Sequence, residues 1–175
     1  MLGQIADVFA AFSQDAGHYQ FFIPVLIAMT DIELIHQFVQ AHRLHESIPV
    51  DLAPLYDIYD VREVDFSNAI QGFCYASKRH TVIGINAHLH PYMRRAVLCH
   101  EVAHDLLRHP NSLYLRSVNE SRYRYLEARA QQGAAVMLVP DRLLRLIDAH
   151  SISIPKLENY LQVPAELIEL RLKML

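Results

Sequence analysis

The sequence has only two cysteines, Cys74 and Cys99, among its 175 residues. Two thiols in a chain of this length predict neither a disulfide framework nor a cysteine-rich zinc site. We therefore interpret both cysteines as reduced, buried side chains without a catalytic role.

The chain also lacks basic residues and long apolar runs near its start. The first lysine or arginine is Arg43, so the cationic segment that opens a secretory signal is missing. The apolar run of residues 21–29 is interrupted by Pro24 and is much shorter than the ~20 residues that span a bilayer. We expect a soluble, cytoplasmic protein that does not associate with a membrane.

Neither sign of charge dominates the composition, since the net charge is -3 and the pI is about 6.4. Electrostatics therefore gives no reason to expect direct binding of nucleic acid. With 52% hydrophobic and 20% charged residues, the chain has the composition of one ordinary folded domain.

The hydrophobic periodicity predicts an α+β fold with helices at both ends. Apolar stripes in the first forty-odd residues indicate two helices, the second of which follows a possible Thr30 cap. β-Branched and aromatic residues predict three short strands, which we expect to form a small antiparallel sheet, and the polar residues 77–80 suit a hairpin. The first stripe contains Ile5, Val8, Phe9 and Phe12, the second contains Ile32, Ile35, Phe38 and Val39, and the strands cover 61–66, 72–77 and 81–86.

A mostly helical half follows the strands. A long helix should begin near Pro91 and run to about Arg108, before His109 and Pro110 end it. The polar residues 112–125 are ambiguous. Further helices are predicted at 126–138, 141–149, 155–161 and 164–175, after a short one at 51–59.

The residues HEVAH, at positions 100–104, lie in the middle of the predicted long helix. Histidines at i and i+4 lie about 40° apart around a helix, so His100 and His104 can reach one metal ion. Glu101 lies on the flank of that face, where its carboxylate can accept a proton from a reacting water. The pattern predicts a catalytic zinc site with Glu101 as the general base.

A catalytic zinc ion usually has three protein ligands, so a further ligand is needed. Glu127 opens a helical segment with small residues on its own face, which would let this helix approach the HEVAH helix closely. Glu120 is the rival, but no apolar face fixes it, while Glu158 and Glu166 belong to later, surface-like helices. We favour Glu127, and Gln131 is a candidate to hydrogen-bond a ligating imidazole. The small residues are Ala130 and Ala134.

The order of these segments resembles that of the ImmA/IrrE-type metallopeptidases over roughly residues 47–175. The resemblance rests on VDLAPLYDIYDV, QGFCYASKRHTVIGIN, RRAVLCHEVAHDLLRH and EARAQQGAAVMLVP, in that order. It implies a zincin-like fold in which His100, His104 and Glu127 bind Zn²⁺ and Glu101 is the base. We accordingly divide the chain into an N-terminal helical extension, 1–46, and a metallopeptidase domain, 47–175.

Three positions depart from the pattern of that family. Ala103 stands where the family often has glycine, Gln131 where asparagine or aspartate is common, and Gly133 where an aromatic residue is usual. None of them removes a ligand or the base. We therefore expect an active enzyme with local differences in helix packing.

The implied reaction is hydrolysis of a peptide bond in a protein substrate. The donor that stabilises the oxyanion stays open among Tyr123, Tyr125, Arg122 and His150. A strand of the hairpin 72–86, if it lies at the sheet edge, could pair with an extended substrate backbone.

The expected substrate is a separate helix-turn-helix repressor of a mobile element or a stress response, because the chain resembles peptidases that act on such repressors. No fused DNA-reading domain is recognisable in the first forty-odd residues. A basic run could attract an acidic stretch of this partner. It comprises Arg108, Arg116, Arg122, Arg124 and Arg129.

Two other classes of function are compatible with parts of the sequence. Residues 155–175 have the helix, turn, helix rhythm of a DNA-binding or sensory module, although their basic and acidic residues balance. A zinc hydrolase with a non-peptide substrate would also carry the H-E-x-x-H motif. The sequence does not indicate an oligomeric state.

Overall fold

The computed structural model describes residues 29–67, 69–77, 80–110, 116–150 and 152–175. The predicted helix that contains Ile5 and Phe12 lies outside these residues. The helices and strands are α1 (Asp31–Ala41), α2 (Ala53–Ile58), β1 (Asp60–Val64), β2 (Gly72–Ala76), β3 (Thr81–Asn86), α3 (Pro91–Leu106), α4 (Glu120–Leu138), α5 (Asp141–His150), α6 (Ile154–Leu161) and α7 (Ala165–Lys173).

Helix α1 begins where the sequence predicts a cap. The Thr30 hydroxyl accepts a hydrogen bond from the Glu33 backbone N–H, and the Glu33 carboxylate accepts one from the Thr30 N–H. This reciprocal pair satisfies two backbone donors that a helix start leaves free. The predicted apolar stripe is confirmed, since Ile35, Phe38 and Val39 are buried.

The three strands form one sheet in the order β1-β3-β2. β2 and β3 make the predicted antiparallel hairpin, but β1 pairs with β3 in parallel, so the prediction of an antiparallel sheet is wrong for β1. The segment after β1 crosses the end of the sheet and delivers β2 to the far side of β3. Buried Asn86 holds this segment, because its side-chain amide donates to the carbonyls of Phe66, Ser67 and Ile70.

Helix α3 packs on the sheet and against α4, which also contacts α1 and α7. Ile83 and Ile85 of the central strand are buried and belong to the same core as the buried side of α3. The apolar side of α1 contributes to this core as well. The division of the chain at residues 46 and 47 stays a prediction.

The two long helices each differ from the prediction at one boundary. Helix α3 ends at Leu106 rather than Arg108, because Arg108 takes the left-handed conformation with φ 53°. Helix α4 begins at Glu120 rather than 126, since the Asn119 side chain caps it by accepting from the Arg122 N–H. The ambiguous segment therefore contributes the first turns of α4.

The structure also tests the predicted burial of the cysteines and the predicted C-terminal helices. Cys99 is buried, whereas Cys74 is only partly buried, and both are free thiols. The three short helices are confirmed within a few residues. Arg171 of α7 is buried and forms an ion pair with Asp141 of α5. Within the described residues, no helix has the length and apolar character needed to cross a membrane.

Candidate metal centre

Helix α3 carries two imidazoles on the side that faces α4. Their neighbours Val102 and Ala103 are fully buried, which fixes the helix against the core. The side chains of His100 and His104 are 17% and 11% exposed, so both are held in a largely desolvated position. Buried polar groups need partners, and these imidazoles find one on the neighbouring helix.

The carboxylate of Glu127, on α4, lies between the two histidines. Its Oε2 lies 3.3 Å from Nε2 of His100, and its Oε1 lies 3.4 Å from Nε2 of His104. The two Nε2 atoms are 3.0 Å apart. Ligand atoms about 2.1 Å from a tetrahedral ion are about 3.4 Å from one another, so this spacing fits such an ion.

These three residues form a group that could hold a metal ion, and no second such group occurs in the described parts of the chain. The structure thus brings together the two motif histidines and the favoured third residue. The rival Glu120 lies at the exposed start of α4, where it pairs with Arg124. Two imidazoles and one carboxylate leave one position of a tetrahedral ion for water, as catalytic sites require.

Glu101 lies beside this group and close to the start of the edge strand β2. A Cβ added to Gly72 would be 3.2 Å from Oε1 of Glu101 and 2.5 Å from Val97. The missing side chain at Gly72 therefore makes room for the carboxylate. Burial raises the pKa of Glu101, with the opposing positive charges of His100 and His104 too weak to reverse it.

The electrostatics of the ligand group favour opposite charges on its members. Burial alone would raise the pKa of Glu127, but the hydrogen bonds and the positive charges of His100 and His104 together outweigh burial and lower the pKa to about 2. Burial alone would lower the pKa of His100, yet the bond to Glu127 and the charges of both glutamates raise it. The carboxylate is therefore ionised at neutral pH.

Each motif histidine has a further partner at its other ring nitrogen. Nδ1 of His100 lies 3.1 Å from Oε1 of Gln131, which is the contact that the sequence suggested for this residue. Nδ1 of His104 lies 2.9 Å from Nδ1 of His109. From the sequence, His109 is interpreted only as the end of the helix. Its position five residues after His104 is the signal that could have indicated this contact.

Among the described candidates for the oxyanion donor, Tyr123 is the one on the same side of α4 as Glu127, four residues before it. It is half-buried one turn before Glu127, and Arg116 lies 5.9 Å from its ring centroid. Burial, followed by the charges of Glu127 and Glu101, raises the pKa of Tyr123, so its hydroxyl stays protonated. Tyr125 and Arg122 are exposed, and the side chain of His150 is not among those that the structure describes.

The fold and this arrangement define a candidate metal centre of the H-E-x-x-H type, completed by a glutamate from the next long helix. Residues 57–173, more than half of the chain, match the peptidase M78 family in its IrrE N-terminal-like domain. The chain belongs to this peptidase family, which confirms the ImmA/IrrE resemblance. A comparison with curated proteins found no match.

Proposed function

We propose that the chain is a zinc-dependent endopeptidase that cleaves a specific cytoplasmic protein. The observation that carries the proposal is the convergence of His100, His104 and Glu127 with Glu101 at their side. Membership of a peptidase family supports the reaction class. The donor set supports zinc as the metal, because two imidazoles and one carboxylate form a known catalytic zinc site.

In this proposal His100, His104 and Glu127 hold the ion, which would polarise the scissile carbonyl and acidify the attacking water. Glu101 accepts the proton of that water and donates a proton to the leaving amine. A carboxylate with a raised pKa suits this exchange, since proton transfer is most efficient when the pKa approaches the working pH.

We assign the oxyanion donor to Tyr123. Its ring lies on the same side of α4 as Glu127, because the two residues are four apart on one helix. The influence of both site glutamates on its pKa supports a phenol that faces the reacting groups. A protonated hydroxyl can donate a hydrogen bond to the negative oxygen that forms during hydrolysis.

The edge strand β2 supports a binding mode for the substrate backbone. Among the described residues β2 pairs with β3 alone, so its other edge is available there to an added strand. This strand begins at Gly72, next to Glu101. An extended peptide paired with β2 would therefore pass the general base.

The proposed substrate is a separate helix-turn-helix repressor, cut in an exposed segment, because an extended backbone must enter the site. Two arginines of the basic run already have acidic partners, Arg124 with Glu120 and Arg129 with Asp31. Exposed Arg122 is the better candidate for an acidic stretch of this partner.

A DNA-reading role for the C-terminal helices is less well supported. Arg171 is 5% exposed and pairs with Asp141, so it is not available to a phosphate. Lys156 and Lys173 remain, with Glu158, Glu166 and Glu169 on the same two helices. The observations therefore favour an enzyme over a nucleic-acid binder.

The test compares cells that express the wild type with cells that express Glu101→Gln, together with the repressor encoded beside the gene. Mass spectrometry should find a discrete repressor fragment only with the wild type, and chelation of zinc should abolish it. An intact repressor, in cells where other proteins are cut, would reject the substrate but keep the peptidase. No fragment of any protein, from zinc-loaded enzyme, would reject the peptidase.

A further inference from the structure

His109 lies immediately after α3 and folds back on it. Its backbone N–H donates to the His104 carbonyl at 2.9 Å, and the two imidazole centroids are 4.9 Å apart at an angle of 75°. The reversal depends on Arg108, whose φ of 53° is rare for a residue with a side chain. The chain thus adopts an uncommon backbone conformation that sets the His109 ring against His104.

The contact between these rings joins their Nδ1 atoms, at 2.9 Å. Nε2 of His104 faces Glu127 and His100 instead. A neutral imidazole that binds a metal through one nitrogen carries its proton on the other. In that tautomer His104 donates from Nδ1, and Nδ1 of His109 accepts.

His100 has the same arrangement with a different acceptor. Its Nε2 faces Glu127, and its Nδ1 lies 3.1 Å from the Gln131 side-chain oxygen. Both motif histidines therefore direct Nε2 towards Glu127, at the proposed metal site, and Nδ1 towards an acceptor outside that site. His109 is not itself one of the three converging residues.

We propose that His109 is a positioning residue, which fixes the tautomer and the ring orientation of His104 and thereby strengthens metal binding. Groups that accept the outer N–H of a ligating histidine typically contribute about 10–100-fold to metal affinity. The inference rests on the metal site of the proposed function. It adds a residue outside the H-E-x-x-H motif to the residues on which metal affinity depends.

The test uses two substitutions in the full chain. His109→Phe keeps an aromatic ring but removes the acceptor, whereas His109→Asn restores an acceptor, because Oδ1 of asparagine stands at the same point along the side chain as Nδ1 of histidine. Zinc affinity is measured by competition with a chelator, and the metal-free chains are unfolded in urea. His88→Phe is the control, since His88 is exposed and pairs with Asp65.

We expect His109→Phe to weaken zinc binding by about 10–100-fold and His109→Asn to recover most of this loss. The visible spectrum of the cobalt-substituted chain should change in His109→Phe and return towards the wild type in His109→Asn. The control should leave affinity and spectrum unchanged.

Three results would overturn the inference. Equal zinc affinity of the wild type and His109→Phe would show that the contact does not position His104. Equal losses in His109→Phe and His109→Asn, with the metal-free chains destabilised alike, would indicate a packing role. A wild type that takes up no zinc would overturn the proposed function and this inference together, whereas the first two results leave the proposed function intact.

Discussion

The two helices that build the candidate site contribute to it in different ways. Helix α3 supplies two proposed ligands and the proposed base from five consecutive residues, 100–104, whose neighbours are buried in the core. Helix α4 supplies the single carboxylate of Glu127, at the border between an exposed first half and a buried second half. One half of the site is thus set by the geometry of a single helix.

The other half depends on how closely α4 approaches α3. Small buried residues of α4, Ala130, Gly133 and Ala134, allow this approach. Where Gly133 faces α3, a Cβ added to this glycine would lie 2.8 Å from the Cβ of Ala103. The comparison teaches that the site has a local part, carried by the motif, and a packed part, carried by the contact between helices.

The largest effect should come from the packed part, through loss of the third ligand. Glu127→Ala should lose most of its zinc and its activity, because two imidazoles alone bind the ion much less tightly. Glu120→Ala, in the exposed half of the same helix, should keep both. Metal analysis of the purified variants ranks the two, and the reverse order would show that the third ligand is misassigned.

The next effect concerns the local part. Glu101→Gln should keep zinc and lose about 10²–10⁴-fold in kcat, because the amide cannot accept a proton. Glu166→Gln, on the exposed side of α7, is the matched control and should leave kcat unchanged. Full turnover by zinc-loaded Glu101→Gln would remove this residue from the reaction.

A smaller effect separates the two sides of the first half of α4. Tyr123→Phe should lower kcat about 100-fold with KM and zinc content little changed, since the hydrogen bond forms only as the oxyanion develops. Tyr125→Phe should have no effect, because Tyr125 is exposed on another side of the helix. Steady-state kinetics of both variants and the wild type measure these effects. A kcat of Tyr123→Phe equal to that of the wild type would show that Tyr123 is not the oxyanion donor.

The smallest effect tests the contact between α3 and α4 directly. Gly133→Ala should destabilise the fold by about 1–3 kcal/mol, because its new methyl group meets Ala103. In an Ala103→Gly background the same change should stabilise the fold by up to about 1 kcal/mol, as expected for alanine in a helix. Urea unfolding of the four chains gives the coupling, and additive effects would show that the helices do not meet here.

This contact joins two of the positions that depart from the family pattern. The family often has glycine at the position of Ala103 and usually an aromatic residue at that of Gly133. In this chain the larger residue is on α3 and the smaller one on α4, and the two face each other. Gly133 leaves room for the methyl group of Ala103, a contact that the sequence alone could not reveal because the positions are 30 residues apart.

The sequence could predict what depends on neighbours along the chain. The cap and stripe of α1, the hairpin of β2 and β3, and the HEVAH face of α3 all follow from local periodicity. The favoured Glu127 was also predictable, because small residues recur on its own side of α4. These features place the candidate site before any tertiary contact is known.

The remaining features depend on contacts or turns that local patterns do not encode. The parallel pairing of β1 with β3 is non-local, and the buried Asn86 amide that holds the crossing segment has no periodic signal. The start of α4 was missed because its first turns are exposed and lack an apolar stripe. His109 meets His104 only because Arg108 adopts a left-handed conformation.

The part of the chain that matches the family is shorter than the part that forms the hydrophobic core, because α1 packs into that core. The family match begins at residue 57, yet Ile35, Phe38 and Val39 of α1 lie in the same core as α4. Asp31 also forms an ion pair with Arg129, two residues after Glu127. A fragment that begins at residue 57 would keep every proposed catalytic group. It would lack α1, and the apolar side of α4 that α1 covers would be exposed to solvent. Expression vectors and domain fusions for this protein should therefore retain α1 together with its Thr30 cap.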